Sequence, residues 1–362
     1  MSSPRWKTLA IAAVVGSLAL AGCANNATGN SAGGATDSTG AAAAGTGTPD
    51  LTIMIGGMSK TIYLPYTLAQ QLGYYDKAGV SVNMIDEPAG GDATTTTNML
   101  AGQVQGVGGF YDHTIVLQGK GKATESVISM LQNPGEVELC RTDLKDQIKS
   151  PADWAGRSLG ITDTGSSTDF LTQYITTKSG VDPAATTRRG VGAGQTFLAA
   201  LQQKAIDCGM TTEPTVSQAV ASGDAYILLD MRNSTGAQTV LGGEYPATSL
   251  YMTTDYVNSH KDLVQKLVNA YAATLTWIQG HTGAQIADMM PASYYAGVGK
   301  DAYAQAIDNE KAIFNPTGIM PPSGPATALA VLSAFNPAVQ GKTIDTSATF
   351  TNEFVTAATP LT

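Results

Sequence analysis

The stretch "SLGITDTGSSTDFLTQYITTKSG", Ser158–Gly180, passes from an apolar run into a polar turn and then into a helical pattern. Leu159–Ile161 has the length of a short buried strand, and apolar residues recur at helical spacing from Phe170 to Ile175. Between them lie a glycine and three hydroxyl residues, Gly165–Thr168. The stretch therefore predicts a strand, a tight turn and a helix, which is the repeating unit of an α/β fold.

Segments of the same kind lie on both sides of this stretch. Upstream, strands are predicted at "LTIMIGG", "VSVNMIDE" and "VQGVGGFYDH", and "ESVISML" and "EVELCRT" are further strand candidates. Downstream, the predicted strands are "TTRRGVGAGQ", "AIDCGMTTEP" and "AYILLDMR", and helices follow near residues 261–279, 302–314 and 326–334. Because strands and helices alternate, the pattern predicts two β-α-β-α-β units in series, with mainly parallel strands and helices on their faces.

The N-terminus has the pattern of an export signal. Arg5 and Lys7 precede the apolar run Leu9–Leu20, which is too short to span a bilayer as a mature helix. The ending L-A-G-C resembles a bacterial lipobox, in which Cys23 is lipidated after removal of residues 1–22. The alternative is an ordinary secretory signal with a chance cysteine. Residues 23–50 are almost all small or polar, so we expect a flexible tether between a membrane and a folded body.

Composition narrows the class of protein. The net charge of −9 argues against a nucleic-acid partner. After Leu9–Leu20 the chain has no second long apolar run, so we expect no transmembrane helix. Besides Cys23, the chain has Cys140 and Cys208, which in an oxidising compartment form either one disulfide or two buried thiols.

The residue patterns of common catalytic sites are missing. A nucleophilic serine needs a base, usually histidine, and the chain has three histidines, His113, His260 and His281. Ser166 and Ser167 do not lie in a G-x-S-x-G pattern, no serine has a lysine three positions later, and no G-x-x-x-x-G-K-[ST] loop is present. Nor do the cysteines and histidines have the spacing of metal ligands. We therefore expect no catalytic residue, no cofactor and no metal.

The loops that follow the predicted strands are the expected ligand site, because open α/β sheets bind ligands beyond the carboxyl ends of their strands. The residues expected to contact the ligand are Ser59, Tyr63, Gly91, Asp92, Phe110, Tyr111, His113, Thr164, Gly165, Ser166, Ser167, Thr168 and Glu213. The Gly165–Thr168 loop begins a helix, whose free N–H groups favour an anion, although the hydroxyls could simply cap the helix. Glu213 is either a ligand contact or a hinge brace. The aromatic side chains favour an organic acid over bare nitrate, and an aromatic acid is one alternative.

Four colinear motifs resemble the nitrate/sulfonate/taurine-type substrate-binding proteins of ABC transporters. They are "LPYTLAQQLGYYDKAGVSVNMIDEPAGG", "NMLAGQVQGVGG", "DWAGRSLGITDTGSSTDF" and "LAALQQKAIDCGMTTEP", within about residues 51–230. The chain departs from the pattern at Gln105, where an acidic residue is usual, and at Cys208 and Gly209.

The resemblance implies a two-lobed periplasmic-binding-protein fold of type II with a two-strand hinge. Lobe 1 would comprise residues 51–141 and 248–362, and lobe 2 residues 142–247. Cys140 and Cys208 would then lie on neighbouring strands, which allows a disulfide. The implied function is capture of a small molecule by a monomeric, extracytoplasmic lipoprotein, for delivery to a membrane permease with a separate ATPase. The alternatives are an enzyme on the same fold, acting on a pyrimidine or quinone precursor, and a ligand-sensing lipoprotein.

Overall fold

Two five-stranded sheets organise residues 50–88 and 92–361, which the computed structural model describes. The strands are β1 Leu51–Ile55, β2 Val82–Asp86, β3 Gly106–Phe110, β4 Thr124–Ser129, β5 Val137–Arg141, β6 Ser158–Ile161, β7 Thr187–Gly190, β8 Cys208–Thr211, β9 Ala225–Asp230 and β10 Thr248–Thr253. The first sheet has the order β2-β1-β3-β10-β4 and the second the order β7-β6-β8-β5-β9. We call the bodies built on them the first and second lobes. The two-lobed α/β fold expected from the sequence is confirmed.

One strand in each sheet runs against the others. Strand β10 is antiparallel to β3 and β4, while β5 is antiparallel to β8 and β9. These are the two strands that enter their sheet from the other lobe, so the start of each lies at the edge where its neighbours end. The other pairs are parallel, as the alternation of strands and helices predicts.

Helices cover both sheets. They are α1 Leu64–Gln71, α2 Tyr74–Ala78, α3 Asp92–Leu100, α4 Asp112–Gly119, α5 Ser167–Lys178, α6 Gln195–Gln202, α7 Thr215–Ala221, α8 Ser234–Leu241, α9 Thr254–Ser259, α10 Lys261–Gly280, α11 Gly283–Met289, α12 Lys300–Glu310, α13 Gly324–Ser333 and α14 Glu353–Thr356. The long helix α10 packs against α1 and α2, and buries Leu267, Tyr271 and Leu275 there. The helical tail thus completes the core of the first lobe.

Two segments cross between the sheets, one from β4 to β5 and one from β9 to β10. They hydrogen-bond to each other: the N–H of Met231 donates to the carbonyl of Glu136 at 3.0 Å, and that of Ala247 to the carbonyl of Leu131 at 3.1 Å. This is the two-strand hinge. The lobe ranges given above stay a prediction, although β5, which they place in lobe 1, pairs within the second sheet.

Cys140 and Cys208 lie directly opposite each other on β5 and β8, and their sulfurs form a disulfide. Their Cα atoms are 3.9 Å apart. Within the described residues, no helix has both the length and the apolar character that a membrane span requires. The signal peptide, Cys23 and the tether up to residue 49 lie outside the described residues.

Candidate functional site

The candidate site is the cleft where loops of the two lobes meet. In the first lobe these loops follow β1 and β3, and in the second lobe they follow β6 and β8. The N–H of Thr61, after β1, donates to the carbonyl of Glu213, after β8, at 3.2 Å. The carboxyl ends of parallel strands in both sheets therefore face one interface, as expected for a ligand cleft.

The starts of α4 and α5 face each other across this cleft. The Ser167 hydroxyl donates to Asp112 Oδ1 at 2.9 Å and lies 3.0 Å from His113 Nε2. The Tyr245 hydroxyl donates to Asp112 Oδ2 at 2.7 Å. All four side chains are buried, and the ring of Phe170 meets the His113 ring edge-on at 5.6 Å. A buried polar contact thus joins the lobes.

Ser167 does have a histidine beside it, although no pattern in the sequence pairs the two residues. Folding brings His113 to it from 54 positions away in the chain, a distance that no local motif reveals. The contact nevertheless lacks the geometry of a catalytic triad. There, the carboxylate holds the histidine nitrogen remote from the serine. Here Asp112 Oδ1 does lie 3.4 Å from His113 Nδ1, but the same oxygen also accepts a hydrogen bond from the Ser167 hydroxyl, so the carboxylate holds the serine directly.

Three of the four residues in the Gly165–Thr168 loop are engaged within their own lobe. Ser166 caps α5 by accepting from the N–H of Asp169, and Thr168 accepts from the N–H of Thr162 at 2.8 Å. The N–H of Gly165 donates to Asp169 Oδ2 at 3.0 Å. Asp169 thereby places a carboxylate at this helix start, and Ser167 points to the other lobe. Ser166 therefore caps the helix, while contact of this loop with a ligand stays a prediction.

The other predicted residues are scattered around the cleft. Ser59 is exposed, and the Tyr63 ring is buried with the Lys60 ammonium 5.8 Å from its centre. Tyr111 turns into the core of the first lobe, where its hydroxyl meets that of Thr349 at 2.5 Å, and Phe110 is buried beside it. Gly91 lies outside the described residues, and Asp92 begins α3 without a described side chain.

Glu213 is fully buried and held by protein groups. It accepts from Arg232 Nη1 at 2.6 Å, from the N–H of Ser217 at 3.0 Å and from Asn309 Nδ2 at 3.4 Å. Asn309 belongs to α12, which packs beside residues 61–63 of the first lobe. These contacts describe a brace between the lobes.

Sequence reasoning missed the acidic side chains of the cleft. Glu136 is 3 % and Glu138 0 % exposed. Burial raises the pKa of Glu136 to about 8. The nearby Lys60 opposes this rise, and the nearby Asp112 adds to it. Burial, and to a smaller extent the neighbouring Glu136, raises the pKa of Glu138 well above its usual range. The signal was available, because "EVELCRT" places glutamates at alternate positions of an otherwise apolar strand.

A cavity of about 450 Å³ opens beside His113. Residues from both lobes and the helical tail line it, among them His113, Thr164, Gly165, Phe170, Lys120 and Asn336. The volume suits a small organic molecule. Three predicted ligand residues, His113, Thr164 and Gly165, therefore meet at one cavity. No group of His, Cys, Asp and Glu side chains in residues 50–88 and 92–361 has an arrangement that could hold a metal ion.

Replacing Ser167 with alanine should lower the free energy of unfolding by about 1.5–3 kcal/mol, because it leaves the buried Asp112 oxygen without its hydrogen bond. Chemical denaturation measures the change. Ser222→Ala is the matched control, since Ser222 makes the same kind of bond to Asp224 at 2.7 Å on the surface. A loss no larger than that of the control would show that the bridge between the lobes is energetically unimportant.

Comparison with known proteins gives a family and a fold. The family model described as "NMT1/THI5 like" matches residues 60–283. No curated protein matches the sequence.

Solved structures match over most of the chain. A Bordetella bronchiseptica RB50 protein is 31% identical, with a TM-score of 0.80 over 85% of this chain and 96% of that one. The alkanesulfonate-binding protein SsuA from Xanthomonas axonopodis pv. citri, bound to MOPS, is 15% identical, with a TM-score of 0.65 over 83% and 97% of the two chains. The periplasmic nitrate-binding protein NrtA from Synechocystis PCC 6803 is 17% identical, with a TM-score of 0.65 over 86% and 89%.

Proposed function

Because the chain belongs to the NMT1/THI5-like family, we propose that it is the solute-binding component of an ABC importer. The observation that carries this proposal is the cleft, in which residues of two hinged lobes line one cavity and bond to each other. Closure of two lobes about a hinge is a common response to a ligand. The lobes would close on a small molecule and present it to a permease.

The site favours binding over catalysis. The Ser167 hydroxyl donates to Asp112, and its proton is therefore directed away from the histidine that a nucleophile would use as base. An enzyme acting on a pyrimidine or quinone precursor, or a sensor that presents its ligand to a receptor, would use the same cleft. Incubation of the protein with its bound solute should leave the mass of the solute unchanged, whereas an enzyme would alter it.

The cellular setting is proposed from the N-terminal sequence. Cys23 would carry a lipid, and residues 23–50 would tether a monomeric binding body to the outer face of the cell membrane. A permease and an ATPase would be its partners.

Native mass spectrometry of the purified protein, followed by a thermal-shift panel, tests the function. The panel holds sulfonates, nitrate, aromatic carboxylates, pyrimidines and amines. A solute present at 100 times its Kd should stabilise the folded protein by about 2.7 kcal/mol and raise the melting temperature accordingly. If the protein carries no small molecule and no panel member raises its melting temperature, capture of these classes is wrong.

A further inference from the structure

Carboxyl groups outnumber cations in the buried region around Glu136. Glu136, Glu138 and Asp112 are buried there, and the exposed Asp86 lies close enough to influence Lys60. The facing cation is Lys60, whose ammonium donates to the carbonyl of Gly56 at 2.7 Å. Burial also lowers the pKa of Lys60, which weakens it as a permanent counter-charge.

The nearby arginines have other partners. Arg188 Nε lies 2.5 Å from Asp169 Oδ1, and Arg232 is bonded to Glu213 and Asp230. Neither guanidinium has a hydrogen bond or ion pair with Glu136 or Glu138 among these contacts.

Glu136 is fixed in a position that faces both lobes. It ends the hinge segment that leads into β5, where its carbonyl accepts from the N–H of Met231. From there its side chain interacts electrostatically with Lys60 and Asp112 of the first lobe. Glu138 lies two residues further along, on the same face of the strand.

Three buried oxygens of these glutamates have no hydrogen-bond partner among the described residues: Glu136 Oε2 and both side-chain oxygens of Glu138. A buried carboxyl group without a partner is strongly unfavourable, and a bound group that donates hydrogen bonds removes that penalty. The unpartnered oxygens lie in the buried region where Glu136 meets Lys60 and Asp112 of the first lobe, and they point to a ligand that donates hydrogen bonds.

We infer that the cleft takes a solute with a cationic nitrogen, an amine or an amidinium, which binds Glu136 between the two lobes. The inference rests on the proposed function and replaces the anionic solute expected from the sequence. That expectation depended on the start of α5, where Asp169 already supplies a carboxylate. A cation would offset the excess of carboxyl groups and supply the donors that Glu136 lacks.

The test uses four probes that share a phenyl ring and differ in charge. Benzamidinium and benzylamine are titrated calorimetrically against the full chain beside benzoate and benzenesulfonate. The cations should bind at least about tenfold more tightly than the anions. Tighter binding of an anion overturns the inference and leaves the proposed function standing. Binding of none of the four also overturns the inference. The proposed function is then tested separately, by whether native mass spectrometry finds a bound solute.

Glu136→Gln should weaken binding of the cations at least about tenfold and leave any binding of the anions unchanged. Glu353→Gln, which removes an exposed carboxylate at the start of α14, is the matched control and should change neither. An equal effect of both variants would overturn the assignment to Glu136.

A measurement on the unaltered protein keeps the inference testable if Glu136→Gln does not fold. Because the pKa of Glu136 is about 8, binding of a cation near neutral pH should release a proton, which titration in buffers of different ionisation enthalpy detects. Lys60 and Asp112 act electrostatically on Glu136, which in turn acts on Glu138. Proton uptake on binding of the cation would contradict the inference.

Discussion

Replacing Arg232 with methionine should lower the free energy of unfolding by about 3–5 kcal/mol, because it leaves a buried carboxylate without its cation. Arg232 Nη1 lies 2.6 Å from Glu213 Oε1, and Glu213 is completely buried between the lobes. Chemical denaturation of the variant and the unaltered protein measures the difference.

Two further variants separate this effect from a general loss of packing. Adding Glu213→Gln to Arg232→Met should restore a large part of the lost stability, since the uncompensated charge is then gone. Lys261→Met breaks an exposed ion pair with Glu353 and should cost no more than about 1 kcal/mol. If the double variant is no more stable than Arg232→Met, the charge of Glu213 is not the cause of the loss.

Replacing both Cys140 and Cys208 with alanine should lower the free energy of unfolding by about 4 kcal/mol. The two residues are 68 positions apart in the sequence, and a cross-link that closes so long a loop restricts the unfolded chain strongly. Denaturation under oxidising conditions measures the loss.

Chemical reduction of the unaltered protein is the control for this pair. The reduced protein should lose about as much stability as the double alanine variant, because both lack the same cross-link. Equal stability of the oxidised and reduced proteins would show that the second lobe does not depend on the bond.

The local pattern of the chain was enough to predict the elements of both lobes. Strand, turn and helix in Ser158–Gly180 depend on neighbours a few residues away, so the pattern predicts them correctly. The reversed direction of β5 and β10 could not be predicted in this way, because it depends on where the chain crosses between lobes.

The location of the site could be predicted from the sequence better than the chemical roles of its residues. The loops after the strands do meet, and His113, Thr164 and Gly165 share a cavity. The contact of Ser167 with Asp112 depends on residues 55 positions apart, which no spacing rule connects. The roles of Glu136 and its neighbour depend on how deeply folding buries them, and composition alone does not reveal that depth.

Hydrogen exchange of the full chain, measured with and without its tightest-binding solute, tests most directly whether the two lobes capture a ligand between them. We expect the amides at the start of α4, residues 112–117, and of α5, residues 167–171, to become protected together. These segments belong to different lobes and contact each other through Ser167 and Asp112, so closure on a ligand should shield both. Protection of one segment alone, or of neither, would contradict capture between the lobes.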